Sequence, residues 1–532
     1  MNPSQPADKK KKVISIGNVA FLLMTTALTG QLLGFLRTKL VNANFPLTGP
    51  QSTDAYFAAF TIPDFFFFTI AAGALGVAFM PVLSDRLHNA SRKSAWELSA
   101  SLMNLLTIVM FFVGVFIFVF AKPLLHHIVA PGLTDAQLQT STHIMQFLAF
   151  NPLLFTISGV LTSVQQTMGR FFFYAIAPLF YNISIIVSIF LFKDNIGLVG
   201  LGVGAFIGAV LQLLIVICGL WKMNFHWHPR IVRHDPELKT ILVNLPPRSL
   251  DQGIDQVQGI VETNIASGLG SGNITYFNSA FILAQAPILL VGTAISSAAF
   301  PRLNARLSQG RPDLFRQDFL AVLRAMIWIA APLAIFCFFA RGYLARLIYT
   351  NGNIKIANIF GLLTLAIFFR IIYTFISRWF YAQKDTRTPL FVSIFTIGLN
   401  VILAYTLAKP SAYGVEGLAI AQSSVAAIEV GILSVIMLIR DPKLFNGTFW
   451  SGVFRIISVS GFSVVACFIM ISLYPLSLND KGILTLGSKL LFIAGVTFSV
   501  HIGVSALFGL EEVKPIFKRA KQVATKPVKV EL

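Results

Sequence analysis

Long apolar stretches recur along almost the whole of this 532-residue chain and restrict its fold more than any other feature. Most run for about 20 residues or more, which is the length an α-helix needs to cross about 30 Å of hydrocarbon. Only helices and closed barrels satisfy every backbone polar group inside a bilayer, and these stretches lack the strict alternation of barrel strands. The sequence therefore predicts an all-α membrane protein.

Composition agrees with this fold class, because 55% of the residues are hydrophobic and only 12% are charged, against about 25% charged in soluble domains. We predict fourteen transmembrane helices, called spans 1 to 14, at 16–42, 54–83, 97–120, 139–164, 171–192, 196–221, 241–268, 273–300, 318–340, 354–377, 388–408, 412–438, 449–474 and 484–509. An even number of spans places both termini on the same side of the membrane.

The formal net charge of +19 follows from this topology. Most of the 41 basic residues fall in segments on the side of the two termini, which the positive-inside rule assigns to the cytoplasm. The charge is therefore no indication of a nucleic-acid partner.

Several residues of the first half recur in the second half at nearly constant spacing. Tyr56 aligns with Tyr276, and Arg86 aligns with Arg306. Duplication of an even number of spans gives parallel copies, so we predict two parallel six-helix lobes around a central cavity, with two extra C-terminal helices. The predicted segments are a cytoplasmic tail, the first lobe, a cytoplasmic linker, the second lobe, spans 13 and 14, and a basic cytoplasmic tail, at 1–15, 16–221, 222–240, 241–440, 441–510 and 511–532.

Ionisable residues inside spans cost at least about 2.5 to 3.5 kcal/mol each near the bilayer centre, so they indicate function. Spans 1 and 2 contain the ionisable Arg37, Lys39 and Asp54 together with the polar Gln31. Arg370 and Glu429 lie in spans 10 and 12, respectively.

Span 7 contains four more ionisable residues, Arg248, Asp251, Asp255 and Glu262, whose spacing puts them on one helix face. Because spans 1 and 7 are equivalent in the repeat, we expect both polar faces to line a hydrophilic cavity. Alternatively, Arg248 neutralises Asp251 or Asp255 and only holds helices together.

No pattern predicts an enzyme, a cofactor or a structural metal. A phosphate-binding P-loop is absent from the sequence. His226, His228 and His234 share a basic loop that has no cysteine or clear carboxylate set to complete a metal site.

Several blocks of sequence resemble the MurJ (MviN) lipid II flippase family over essentially the whole chain. They are GQLLGFLRTKL at 30–40, TDAYFAAF at 53–60, GALGVAFMP at 73–81, GLGVGAFIGAVLQLL at 200–214 and YAQKDTRTP at 381–389. The resemblance implies a bacterial inner-membrane transporter of the multidrug/oligosaccharidyl-lipid/polysaccharide exporter superfamily. It also implies a cationic cavity and a groove beside spans 13 and 14 for the lipid tail.

The resemblance further implies roles for particular residues. Arg37, Asp54 and Arg248 match family positions that are linked to function or common in relatives. Glu262 matches an acidic position near a sodium site in some members, with Asn400 as its expected neighbour. The chain differs where relatives have further arginines, since it has Gln31 in span 1 and Phe65 to Phe68 in span 2, and it has Ala404 where sodium-binding members place an acid.

The predicted function is therefore transport of an undecaprenyl-pyrophosphate-linked peptidoglycan precursor to the outer leaflet by alternating access. The substrate-binding residues would be Arg37, Lys39, Asp54, Arg248, Gln31, Asp251 and Asp255, with Glu262 and Asn400 binding Na⁺ or H⁺ as a coupling ion. Membrane lipids and cell-wall synthesis proteins are the expected partners. The alternatives are an exporter of another polyprenyl-linked glycan, a drug antiporter of the same superfamily, a scaffold for wall-synthesis enzymes, and a channel or scramblase.

Overall fold

The computed structural model describes residues 16–515 apart from 70–74, 76–78, 90, 222, 233–234, 350–351, 478–479 and 481. All regular secondary structure in these residues is helical. The helices are α1 Ile16–Asn44, α2 Thr53–Phe67, α3 Met80–Asn89, α4 Arg92–Pro123, α5 Asp135–Leu148, α6 Asn151–Thr167, α7 Phe172–Phe192, α8 Val199–Gly219, α9 Pro236–Gly268, α10 Asn273–Pro287, α11 Ala294–Ser308, α12 Pro312–Phe339, α13 Arg341–Ile348, α14 Ile354–Ala382, α15 Arg387–Leu407, α16 Glu416–Arg440, α17 Gly447–Leu473 and α18 Gly482–Leu507. The all-α prediction is confirmed for the part of the chain that is described.

Eleven helical segments within the described residues are long and apolar enough to cross a membrane. They correspond to eleven of the predicted spans, and in three of them two helices follow each other or are joined by a π-helical segment. The other three predicted spans fall on α1, on α2 with α3, and on α9, which contain Arg37, Asp54 and Glu262 and are not among the eleven. The multi-spanning class is therefore confirmed, and the exact number of fourteen stays a prediction.

Prolines disturb the long helices at two comparable points. π-helical segments, Leu124–Val129 and Ile288–Thr293, begin directly after Pro123 and Pro287. Proline lacks a backbone N–H and clashes with the preceding turn, so the regular hydrogen-bond ladder is interrupted there.

Two compact units can be separated by contacts within the described chain, and both are discontinuous in sequence. The first comprises the described residues within 16–37, 66–119 and 146–250; its core includes Phe79, Trp96 and Leu161. In this unit α7 packs closely on α8, where a Cβ at Gly204 would lie 2.2 Å from Oγ of Ser188.

The second unit comprises the described residues within 38–65, 120–145 and 251–515. α14 packs against α10, α12 and α16, and α12 also packs against α17. Trp328 of α12 donates from Nε1 to Oγ of Ser505 in α18 at 2.8 Å, and Nδ1 of His501 lies 2.8 Å from Oγ of Ser463 in α17. Buried polar contacts thus join α18 to α12 and α17 to α18. The predicted lobes and their boundaries stay predictions.

Candidate functional site

Asp54, in the first turn of α2, is almost completely buried. Its Oδ1 accepts hydrogen bonds from the backbone N–H (2.8 Å) and the hydroxyl (2.6 Å) of Thr275, and its Oδ2 accepts one from the backbone N–H of Gly272. These donors lie at the start of α10, where unpaired N–H groups and the helix dipole favour an anion. Asp54 therefore caps α10 from a distant part of the chain.

The backbone conformation of Gly272 allows its N–H to reach the Asp54 carboxylate. Its φ is 93°, in the left-handed region that other residues rarely adopt. This conformation precedes α10 directly and accompanies an N–H that points at Asp54. Among the described residues Asp54 has no ion-pair partner, so the structure gives it backbone and hydroxyl donors instead of cationic side chains.

Neighbouring residues make parallel contacts with α10 and the loop before it. Oγ1 of Thr53 lies 2.9 Å from Oγ1 of Thr275, and Nδ2 of Asn42 donates to Oγ of Ser279 at 3.0 Å. Ser271 donates to the carbonyl of Leu47 at 3.4 Å. The end of α1 and the start of α2 are therefore hydrogen-bonded to the first turns of α10.

A second group of contacts joins the segment after α4 to the end of α9. Nδ2 of Asn264 donates to the carbonyl of Ile128 at 2.7 Å, and the backbone N–H of Gly132 donates to Oγ of Ser267 at 3.2 Å. A Cβ at Gly132 would lie only 2.1 Å from the carbonyl oxygen of Ser267, so this approach requires glycine.

Gln137 of α5 completes the group, because its Nε2 donates to Oγ of Ser271 at 2.9 Å. The two groups of contacts meet on one stretch of chain, 264–279. We call the whole set the latch, defined as Asn42, Thr53, Asp54, Gly132, Gln137, Asn264, Ser267, Ser271, Gly272, Thr275 and Ser279.

The other cavity residues predicted in span 1 all lie on α1. Gln31 is exposed, and Arg37 and Lys39 are partly buried. Nε of Arg37 is buried without a hydrogen-bond partner in the described part of the chain. A buried guanidinium nitrogen with no acceptor is costly and therefore suited to an incoming anion.

The predicted polar face of span 7 lies on α9, whose backbone is helical throughout. The side chains of Arg248, Asp251 and Asp255 lie outside the described residues. Their role in a cavity stays a prediction.

Glu262, further along α9, is buried, and its Oε1 accepts two amide hydrogen bonds. The donors are Nε2 of Gln258, one turn earlier, and Nε2 of Gln422 in α16, each at 2.8 Å. Asn400 of α15 is also buried, but its amide atoms have no hydrogen-bond partner in the described residues. Hence the structure pairs Glu262 with Gln422, and the expected neighbour Asn400 makes no hydrogen bond to it.

The charges predicted in spans 10 and 12, Arg370 and Glu429, pair with each other. Nη1 of Arg370 lies 3.4 Å from Oε2 of Glu429, whose Oε1 accepts a hydrogen bond from Ser393 at 2.8 Å. The hydroxyl of Tyr373 lies 3.0 Å from the same serine hydroxyl. α14, α15 and α16 therefore share a small polar network.

The block YAQKDTRTP forms a helix cap between α14 and α15. Oδ1 of Asp385 accepts hydrogen bonds from the backbone N–H groups of Arg387 and Thr388, each at 3.0 Å, and Oδ2 accepts from Arg440 at 2.6 Å. Burial alone would raise the pKa of the Asp385 carboxyl, but the hydrogen bonds from Thr388 and Arg440 outweigh burial and lower this pKa to about 2. Asp385 therefore caps the start of α15 and joins the α14–α15 connection to the last residue of α16.

The sequence did not predict three features of the site: Gln258, Gln422 and the close packing of Gly132 against Ser267. The spacing of four residues between Gln258 and Glu262 could have indicated the first of them. Nothing local in the sequence marks Gln422 or Gly132.

A family model described as "Lipid II flippase MurJ" matches residues 49–489 of this chain. A protein of Burkholderia cenocepacia named lipid II flippase MurJ is 28% identical over 396 residues, which cover 69% of this chain and 73% of that protein. A probable lipid II flippase MurJ of Borreliella burgdorferi is 22% identical over 429 residues, covering 80% and 83% of the two chains.

Solved structures share the fold. A structure of "Lipid II flippase MurJ, inward closed conformation" superposes with a TM-score of 0.76 and 20% identity, covering 92% of this chain and 98% of that chain. An inward-facing multidrug transporter of the MATE family superposes with a TM-score of 0.65 and 15% identity, covering 82% and 98%. At these identities the likeness concerns the fold alone.

Proposed function

This chain belongs to the lipid II flippase MurJ family, and from that premise we propose that it moves lipid II from the cytoplasmic to the outer leaflet of the bacterial inner membrane by alternating access. The headgroup bears a disaccharide-peptide and a pyrophosphate. Each unpaired polar group costs about 2 to 7 kcal/mol in an apolar medium, so a polar pathway through the protein is required.

The structural observation that carries the proposal is the cap that Asp54 places on α10. With both termini in the cytoplasm, α1 runs outward and ends at the outer side of the membrane. The latch then closes the outer end of the pathway, and its hydrogen bonds must break for the headgroup to leave. A set of exchangeable hydrogen bonds suits this role, because water can replace each of them when the latch opens.

The pathway itself would be lined by the residues predicted from the sequence. Arg37, Lys39 and Arg248 would attract the pyrophosphate by charge-assisted hydrogen bonds, with Gln31, Asp251 and Asp255 contacting the sugar and peptide. The buried, unpartnered Nε of Arg37 supports this role. The two predicted lobes would move against each other while the lipid tail follows the groove beside α17 and α18.

Two energy sources are open to such a transporter. Outward movement of an anionic headgroup is favoured by an interior-negative potential, by about 2.3 kcal/mol per charge per 100 mV. Coupling to Na⁺ or H⁺ through Glu262, with Asn400 near it, would return the empty carrier.

Complementation tests the proposed function in cells. A bacterium depleted of its own lipid II flippase should grow when it expresses the wild-type chain and should fail with Arg37→Ala. Arg92→Ala, which removes an exposed arginine at the start of α4, is the matched control and should grow. Growth with Arg37→Ala would favour a scaffold over a transporter, and no growth with the wild type would favour export of a different glycan or of drugs.

A further inference from the structure

The surroundings of Glu262 distinguish between the two coupling ions. Both hydrogen bonds to its carboxylate come from neutral amides, Gln258 and Gln422, and both end on Oε1. No described residue donates a hydrogen bond to Oε2, and no described cation forms an ion pair with Glu262. A buried carboxylate with so few compensating groups is unstable as an anion.

The charged groups near Glu262 do not neutralise it. Arg370 of α14 interacts with it electrostatically, but its guanidinium is paired directly with Glu429 of α16. One positive charge therefore serves two carboxylates. The net charge of Arg370, Glu429 and Glu262 is zero only when one of the two carboxylates binds a proton or a further cation.

The amide geometry favours the proton. Sodium, like other hard cations, is bound by oxygen ligands, whereas both glutamines direct N–H groups at the carboxylate. The buried Asn400 amide makes no hydrogen bond to Glu262 among the described residues, so it gives no sign of sharing an ion with it. A proton on Oε2 removes the buried negative charge and leaves both amide hydrogen bonds to Oε1 intact.

Glu262 also shares a rigid element with the latch. Asn264 and Ser267, which hold the segment 128–132, follow Glu262 within two turns of α9. Gln422 ties the same turn of α9 to α16. A change of charge at Glu262 would alter how strongly α9 is held by Gln422 and Arg370, and α9 would transmit this change to the latch over a short distance.

We propose that Glu262 is a proton-binding site, not a sodium site, and that its protonation state controls the latch through the last turns of α9. The control of transport rests on the proposed function, whereas the proton site itself can be measured without any substrate.

Infrared difference spectroscopy of the full, substrate-free chain during a pH titration tests the proton site. The wild type should show the C=O stretching band of a protonated carboxyl, and the band should be missing in Glu262→Gln. Glu97→Gln, which changes a partly exposed carboxylate of α4, should retain it. The band should be the same in sodium and potassium salts.

A second variant distinguishes loss of the proton site from a general loss of structure in Glu262→Gln. Gln422→Leu removes one donor to the ionised form, so the band should persist to a pH higher by about one unit. An unchanged titration in Gln422→Leu, a band absent from the wild type, or a band that sodium removes would each overturn the proton site.

Lipid II flipping by the same preparations, reconstituted in vesicles, separates the two proposals. Flipping should depend on pH in the wild type, lose this dependence in Glu262→Gln, and be indifferent to sodium. A wild type with the infrared band but without flipping contradicts the proposed function and leaves the proton site standing. Flipping by Glu262→Gln that keeps the wild-type pH profile contradicts control of the latch by Glu262.

Discussion

The carboxylate of Asp54 accepts hydrogen bonds from both the backbone N–H and the hydroxyl of Thr275, 221 residues further along the chain. An aspartate at the start of one helix thus serves as the cap of another. The cap stabilises the N-terminus of α10 only while the end of α1 and the start of α2 stay against it. This dependence makes Asp54 a component of a movable contact as well as a capping residue.

Loss of the charge at Asp54 should weaken the latch. Hydrogen bonds to a charged group contribute about 1.5 to 3 kcal/mol each, so Asp54→Asn should increase the open population about tenfold or more. A cysteine at Ser279, in a background without the exposed Cys218, should then react faster with a membrane-impermeant thiol reagent. Asp135→Asn, at an exposed carboxylate of α5, should leave the rate unchanged; equal rates for both variants would contradict the role of the cap.

Added volume at Gly132 should prevent closure of the latch. Because a Cβ there would lie 2.1 Å from the carbonyl oxygen of Ser267, Gly132→Ala should separate the segment after α4 from α9. The same thiol labelling at position 279 should be faster than in the wild type. Gly259→Ala is the matched control, because a Cβ at that position on α9 meets no atom within 4 Å. Slow labelling in Gly132→Ala would show that the latch closes without this contact.

The cap at Asp385 should contribute stability that depends on pH. The pKa of this carboxyl is lowered from 3.8 to about 2, so its contribution is present above pH 4 and is lost as the pH falls toward 2. Asp385→Asn should lower the free energy of unfolding at pH 7 by about 1 kcal/mol, and therefore also the melting temperature of the purified protein. The effect is this small because Arg440 is partly exposed and solvent screens the ion pair. The difference from the wild type should shrink as the pH approaches 2.

Asp313, whose side chain is 90% exposed, provides the comparison for this measurement. Asp313→Asn should alter the melting temperature little at either pH. A constant difference between Asp385→Asn and the wild type over the whole pH range would contradict the assigned pKa.

The attachment of α18 to α12 should depend on one indole hydrogen bond. Ser505→Ala leaves Nε1 of the buried Trp328 without an acceptor, which costs about 1 to 3 kcal/mol. Thermal unfolding of the purified chain should report this loss. Ser472→Ala, which removes an exposed hydroxyl that bonds within its own helix, should have almost no effect. Equal stability of the two variants would mean that the indole finds another partner.

Sequence periodicity predicted the helices well and their partners poorly. The span expected at 354–377 is found as Ile354–Ala382, and that at 97–120 as Arg92–Pro123. Hydropathy and helix length suffice for this, because the bilayer imposes both. The π-helical segment after Pro287 was not predicted, because a proline can also produce a simple kink.

The candidate site shows the same limit. Asp54 and Glu262 stand out as charges in apolar segments, and the structure gives both a specific buried environment. Their partners Thr275 and Gln422 do not stand out, since threonine and glutamine are tolerated on many helix faces. Which helix a polar face meets is decided by tertiary packing, which local spacing does not encode.

Translocation of lipid II by the purified chain can be measured in reconstituted vesicles, with headgroup access to a membrane-impermeant reagent as the readout. The wild type should expose inner-leaflet lipid II far faster than protein-free vesicles do, and Arg37→Ala should be at least about tenfold slower, the equivalent of one lost charged hydrogen bond. Arg92→Ala should match the wild type. A wild-type rate equal to that of protein-free vesicles would show that the chain does not move lipid II, and equal rates for Arg37→Ala and Arg92→Ala would show that Arg37 does not bind the headgroup.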